Sequence, residues 1–160
     1  GVNDVETILR SLPSMSLRYY AHDAAARQLA QFMAQQPSVL QVLHPALTSS
    51  PGHAHWKALC GGKTGPHGLE GAAAGLFSVV IDPRYTQAQV DQFCESLRFF
   101  KLAYSWGGPM SLVEPYKIGA MRSLPEASLR EGTVVRFCIG LEDVQDLQAD
   151  LAQALAKAFA

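Results

Sequence analysis

A chain of 160 residues is about one domain's worth, and roughly 70% of the surface that an unfolded chain of this size exposes can be buried, so a single core is expected. With 48% hydrophobic and 17% charged residues, and 13 Lys+Arg against 14 Asp+Glu, the chain is too apolar to be disordered and too balanced in charge to bind a polyanion. Nucleic acid is therefore excluded as a partner.

From Val5 to Gln35 the apolar residues Ile8, Leu12, Met15, Leu29, Phe32 and Met33 recur at helical spacing, with Asp4 placed to cap the first turn and Pro13 placed to kink the helix. Pro37 stops it. Val39 to Pro45 reads as a first strand, His53 to Leu59 as a short helix, and Leu76 to Asp82 as a second strand ended by Pro83. Thr86 and Gln89 form a capping-box pattern ahead of Val90, Phe93, Cys94 and Leu97, which predicts a helix over Gln87 to Arg98. A strand over Phe99 to Tyr104 follows, then another over Thr133 to Gly140. The last helix carries Val144, Leu147, Leu151, Leu155 and Ala158 as a stripe, with Asp143 and Asp146 near its positive end.

This order predicts an α+β, two-layer sandwich: a mostly antiparallel sheet with helices packed on one face, preceded by a long kinked helix. If Val135, Phe137 and Ile139 face the helices, the alternation of a strand sends Arg136 and Cys138 to the other side. Arg136 is then a lone charge on the uncovered face, aimed at solvent, a ligand or another domain.

Most motif-like features read as ordinary structure. Gly62, Lys63 and Thr64 spell the end of a phosphate-binding loop, but Lys57 stands where its first glycine belongs and no strand leads into it. His53 and His55 have no nearby carboxylate or thiolate cluster to complete a metal set and read as surface residues, and His22, His44 and His67 have no partner at a recognisable spacing. Cys60, Cys94 and Cys138 are odd in number and lack a CxxC pair, which excludes a disulfide framework and fits a reducing compartment. Cys138 reads as a small buried hydrophobe. The Gly-rich stretch from Cys60 to Gly75 reads as a loop. No run approaches the roughly 20 apolar residues of a bilayer span, and the acidic first residues do not resemble an export signal, so a cytoplasmic protein is expected.

Two segments stand out. YSWGGPMSLVEP (Tyr104 to Pro115) puts a phenol, an indole and paired glycines after a predicted strand, and RFCIGLEDVQDL (Arg136 to Leu147) runs from a strand through Gly140 into a helix. From the residues alone, Arg136 is equally an ion-pair partner or a ligand-binding group, and Trp106 equally a core residue or a site residue. Together with Ile8 to Arg18, Val39 to Leu47, Gly52 to Lys57 and Gly75 to Val80, these segments resemble, in order, the C-terminal domain of the Cys/Met-metabolism family of pyridoxal-phosphate (PLP) enzymes. The tryptophan of YSWGG resembles its cystathionine β-lyase branch in particular.

The resemblance implies that residues 1–37 are a linker or interdomain helix and residues 38–160 the substrate-binding domain of a PLP-dependent carbon–sulfur lyase. It implies an amino acid thioether substrate of the L-cystathionine class. Arg136 would grip the substrate's α-carboxylate, with the backbone at Ser105 and Trp106 completing that pocket. Ser105 would also tether the catalytic lysine, and Tyr104 and Trp106 would wall the side-chain pocket. The lysine and the rest of the cofactor site belong to an N-terminal domain not contained in these residues, so the 160-residue chain alone is expected to be inactive and to bind no cofactor. The full-length enzyme would be a homotetramer, and the fragment would self-associate. Two alternatives remain: a sister activity (cystathionine γ-synthase, cystathionine γ-lyase or methionine γ-lyase) or a stand-alone, non-catalytic ligand-binding module.

Overall fold

In the computed structural model, which describes residues 1–62, 64–123, 129 and 131–159, the chain opens as a helix broken at Pro13. Helix α1 (Val2–Ser11) passes through a 3-10 turn (Leu12–Ser14) into α2 (Met15–Met33). Proline has no N–H to donate and its ring crowds the preceding turn, which accounts for the tightened link. The start differs from expectation. Gly1 caps the helix and Asp4 lies inside its first turn, where the terminal amine donates to its carboxylate at 2.9 Å.

The two helices have different surroundings. In α2, Ala26, Leu29, Ala30 and Met33 are fully buried, whereas Ile8, Leu12 and Met15, expected on the same apolar stripe, are exposed. Helical spacing identifies an apolar face but not whether a partner covers it.

Among the described residues five strands follow: β1 (Val39–Leu43), β2 (Leu76–Ile81), β3 (Lys101–Leu102), β4 (Leu112–Tyr116) and β5 (Thr133–Cys138). They lie in the order β1-β2-β5-β4-β3, with every pair antiparallel except β3 and β4. Strand β4 was not foreseen, because Pro115 lies within it and proline cannot donate to a ladder. Its ring nitrogen harms nothing. The Val113 carbonyl accepts from Ala103 N on the β3 side, so the nitrogen two residues on faces the same way, beyond the last β3 partner. Strand β3 is shorter than the expected Phe99 to Tyr104, since Arg98 and Phe99 give their N–H groups to the Asp150 carboxylate instead of to a ladder.

Among the described residues the chain also forms helices α3 (His53–Cys60), α4 (Gln87–Ser96), α5 (Ile118–Met121) and α6 (Val144–Phe159). The capping box at α4 is present, with Thr86 Oγ1 accepting from Gln89 N and the Gln89 side chain returning to Thr86 N. Short α5 was not foreseen. The core joins Val79, Ile81, Val113, Val135 and Phe137 of the sheet to Leu29 and Met33 of α2, Phe93 of α4, and Leu147 and Leu151 of α6. The helices thus cover one face of the sheet, as the alternation in β5 required.

The Gly-rich loop is fastened to this core. A buried pair, Arg27 Nε to Asp23 Oδ1 at 2.9 Å, aims the guanidinium so that Nη1 donates to Glu70 O at 2.9 Å, while Trp56 Nε1 donates to Ala72 O at 3.0 Å. Lys63, the centre of the phosphate-loop-like triplet, lies outside the described residues.

Candidate functional site

The sheet register places Arg136 in the middle of the face opposite α2, α4 and α6, between Ser78 of β2 and Glu114 of β4. On the same face, Val134 lies between Val80 and Tyr116, and Cys138 between Leu76 and Leu112. The Arg136 side chain is half-buried, on the side of the sheet away from the core that α2, α4 and α6 cover. Its Cζ stands 5.7 Å from the centre of the Tyr116 ring, which supports the charge from below. Its Nη2 is buried and has no hydrogen-bond partner among the described residues.

An unpaired buried donor costs about 1–3 kcal/mol, and more when charged, so its retention needs a reason. The group beside it is a cavity of about 300 Å³ bounded by Ser78, Tyr116, Ile118, Arg122, Val134 and Arg136. A planar guanidinium with free donors at such a cavity is suited to a planar anion, because two parallel N–H···O bonds form at once.

The Tyr104 to Met110 loop enters from β3 and is clamped by the turn after β5. Gly107, at φ +75° in the left-handed region that glycine tolerates, donates its N–H to Cys138 Sγ at 3.3 Å. Leu141 N donates to Pro109 O at 2.8 Å, and Glu142 takes Ser111 N at 2.7 Å and Ser111 Oγ at 2.8 Å, one on each carboxylate oxygen. Ser111 Oγ in turn accepts from Gly140 N at 2.9 Å. A Cβ on Gly140 would stand 2.3 Å from Pro109 O, so only glycine lets the loop and turn approach this closely.

Of the residues singled out from sequence, Tyr104 joins the Arg136 cluster through Tyr116, with ring centres 6.3 Å apart. Ser105 and Trp106 lie on the clamped turn beside Cys138, two residues along β5 from Arg136. Trp106 is 65% exposed, so it is not a core residue, and it borders a cavity of about 160 Å³ with Tyr19, His22 and Cys138. No hydrogen bond links Arg136 to Ser105 among the described residues. Burial raises the Cys138 thiol above its usual value, against the smaller effects of Gly107 N–H and Arg136, which keeps it protonated and a poor nucleophile.

Glu114, Tyr116 and Glu142 were missed. The first two sit on β4, and without that strand nothing in the sequence assigns them to Arg136's face. No group of three metal-ligating side chains occurs among the described residues, and His53 and His55 lie on α3.

Comparison with known proteins bears on this arrangement. A cystathionine β-lyase of Salmonella typhimurium is 37% identical over 151 residues, which is 92% of this chain but 35% of that protein. A putative cystathionine β-lyase of Rhizobium johnstonii is 37% identical over 161 residues, covering 99% of this chain and 38% of its own length. Among solved structures, metB from Corynebacterium glutamicum superposes with a TM-score of 0.71 at 31% identity, over 92% of this chain and 36% of that one. The chain therefore spans little more than a third of the relatives it matches. A profile described as Cys/Met metabolism PLP-dependent enzyme matches residues 1–156, and the chain belongs to that family.

Proposed function

We propose that this chain is the substrate-carboxylate-binding, C-terminal part of a PLP-dependent carbon–sulfur lyase of the cystathionine β-lyase type, which splits L-cystathionine into homocysteine, pyruvate and ammonia. The observation that carries the reading is the buried Nη2 of Arg136, without a partner among the described residues, on the sheet face opposite α2, α4 and α6.

The described residues do not fit the cofactor. Lys57, Lys101, Lys117 and Lys157 are all exposed, so none is held in a water-excluded pocket near Arg136, and the cavity beside Arg136 has no lysine in its wall. They fit the amino acid instead. Arg136 takes the α-carboxylate in a two-point grip, which fixes two of the substrate's rotations before any bond changes. In this reading the backbone at Ser105 and Trp106 completes the carboxylate pocket, with Tyr104 and Trp106 as walls of the side-chain pocket. Ser105 belongs to this reading as the tether of a lysine supplied by the remainder of the enzyme. Residues 1–37 serve as the link to that remainder, the full-length enzyme is a cytoplasmic homotetramer, and the isolated chain self-associates through the sheet face that bears Arg136. No described helix is long and apolar enough to cross a membrane.

The test is Arg136→Lys in the full-length enzyme. Lysine keeps the charge but loses the fork, so kcat/KM for L-cystathionine is expected to fall by about 1.5–3 kcal/mol, roughly 10- to 150-fold. An unchanged kcat/KM, read by pyruvate release, rules out Arg136 as the carboxylate anchor. Equal release of α-ketobutyrate in place of pyruvate assigns the sister γ-eliminating activity.

A further inference from the structure

The cavity of about 300 Å³ beside Arg136 is bordered by a second guanidinium, that of Arg122, and no Asp or Glu occurs among the described residues of its wall. Ile118, Met121 and Val134 give the same wall an apolar stretch. Backbone geometry brings Arg122 there. Strand β4 ends at Tyr116, whose ring supports the Arg136 charge, and α5 begins two residues later. Arg122 closes that helix, donating its N–H to Ile118 O at 2.9 Å. A connection of a few residues thus delivers a second cation to the cavity that Arg136 enters from β5.

Two like charges at one cavity repel, and negative charge entering the cavity relieves the repulsion. One carboxylate does half of this. A carboxylate has two oxygens, and the two-point grip of Arg136 uses both, which leaves the second guanidinium for a second anionic group. The apolar wall suits the uncharged chain that joins two such groups.

We propose that Arg122 is a specificity-determining residue: it receives a second carboxylate at the far end of the substrate, so that the site selects a dicarboxylic amino acid thioether over one with a plain alkyl tail. The inference rests on Arg136 being the anchor of the α-carboxylate. A dicarboxylate is then held at both ends, which limits the rotations left to the chain between them. An alkyl tail instead takes water from the Arg122 guanidinium without replacing its hydrogen bonds, so the discrimination has a repulsive part as well as an attractive one. Arg122 is exposed, and solvent screening keeps the effect moderate.

The test uses the full-length enzyme and two thioethers that share the Cβ–S bond to be cleaved: L-cystathionine, with two carboxylates, and S-ethyl-L-cysteine, with one. Arg122→Gln is expected to lower kcat/KM for L-cystathionine about 3- to 20-fold and to leave that for S-ethyl-L-cysteine within about twofold, both read by pyruvate release. The Ki of S-ethyl-L-cysteine against L-cystathionine, followed by homocysteine release, is likewise expected to stay within about twofold. Arg122→Lys keeps the charge without the fork and is expected to fall between the native enzyme and Arg122→Gln. Because the side chain is exposed, these changes do not put folding at issue.

An Arg122→Gln enzyme with unchanged kcat/KM for L-cystathionine overturns the proposal. An equal fall for both thioethers also overturns it, since Arg122 would then serve the α-carboxylate or the fold and not the far end. Arg136→Lys separates the two failures. If it leaves both substrates unaffected, the anchor is wrong; if it impairs both while Arg122→Gln does not discriminate between them, only the role of Arg122 is wrong.

Discussion

His44 is fully buried, its ring 6.5 Å from that of Phe77, with Nδ1 accepting from Ala46 N at 3.2 Å. That bond puts the ring proton on Nε2, which has no acceptor among the described residues. Burial lowers the His44 pKa to about 4, with a smaller push from Arg27 and an opposing one from Asp23. The unfolded chain, near 6.5, therefore binds the proton that the folded one refuses. Stability contributed by the neutral ring is complete above about pH 6.5 and is lost as pH falls toward 4, by about 3 kcal/mol at most. His22, lowered by its burial and by Arg18, adds to the effect in the same direction. Urea midpoints at pH 7 and pH 4.5 are expected to differ more in the native chain than in His44→Gln; equal differences would falsify this origin of the acid lability. Nothing in the sequence around His44 marks it as buried, since its cover comes from elements distant along the chain.

Helix α6 holds the start of β3 through one carboxylate. Asp150, 4% exposed, accepts Arg98 N at 3.0 and 2.9 Å and Phe99 N at 2.8 Å, and Gln153 Nε2 donates to it at 3.0 Å. Asp150→Ala strands two backbone donors and is expected to cost about 3 kcal/mol in chemical denaturation, with Asp150→Asn recovering part of the loss. A cost below about 0.5 kcal/mol for alanine means that water replaces the carboxylate. The same contact shows where sequence reading ran out for elements. Strands β1, β2 and β5 and helices α4 and α6 were legible because periodicity and end signals agree in each. Strand β4 was hidden by Pro115, whose tolerance depends on how far β3 extends, and β3 was overestimated because Asp150, 51 residues away from Phe99, satisfies the backbone in place of a ladder. The site followed the same division. Arg136 was legible from alternation within β5, whereas Glu114 and Tyr116 required a strand that local rules disfavoured.

At the scale of the molecule, the chain divides into a core and an arm. No residue of α1 is buried, and Val2, Val5, Ile8 and Leu9 are each more than half exposed, whereas Leu29 of α2 is fully buried in the core with α6 and the sheet. Hydrophobic stabilisation follows the apolar area removed from water, so the arm adds almost nothing to the fold of this chain despite its apolar composition. Deleting residues 1–11 is therefore expected to leave the thermal midpoint within about 2 °C, while Leu29→Ala is expected to cost about 3 kcal/mol through lost burial and the cavity left behind. The contrast is informative because both segments present similar apolar spacing to a sequence reader. If deletion lowers the midpoint as much as Leu29→Ala does, α1 is packed in solution against this chain or a second copy. Dilution separates those two, since only contact between copies makes the midpoint concentration-dependent. An unchanged midpoint leaves the stripe on α1 as a surface whose cover lies outside these 160 residues, as suits a chain that spans about 35% of the Salmonella typhimurium protein it resembles.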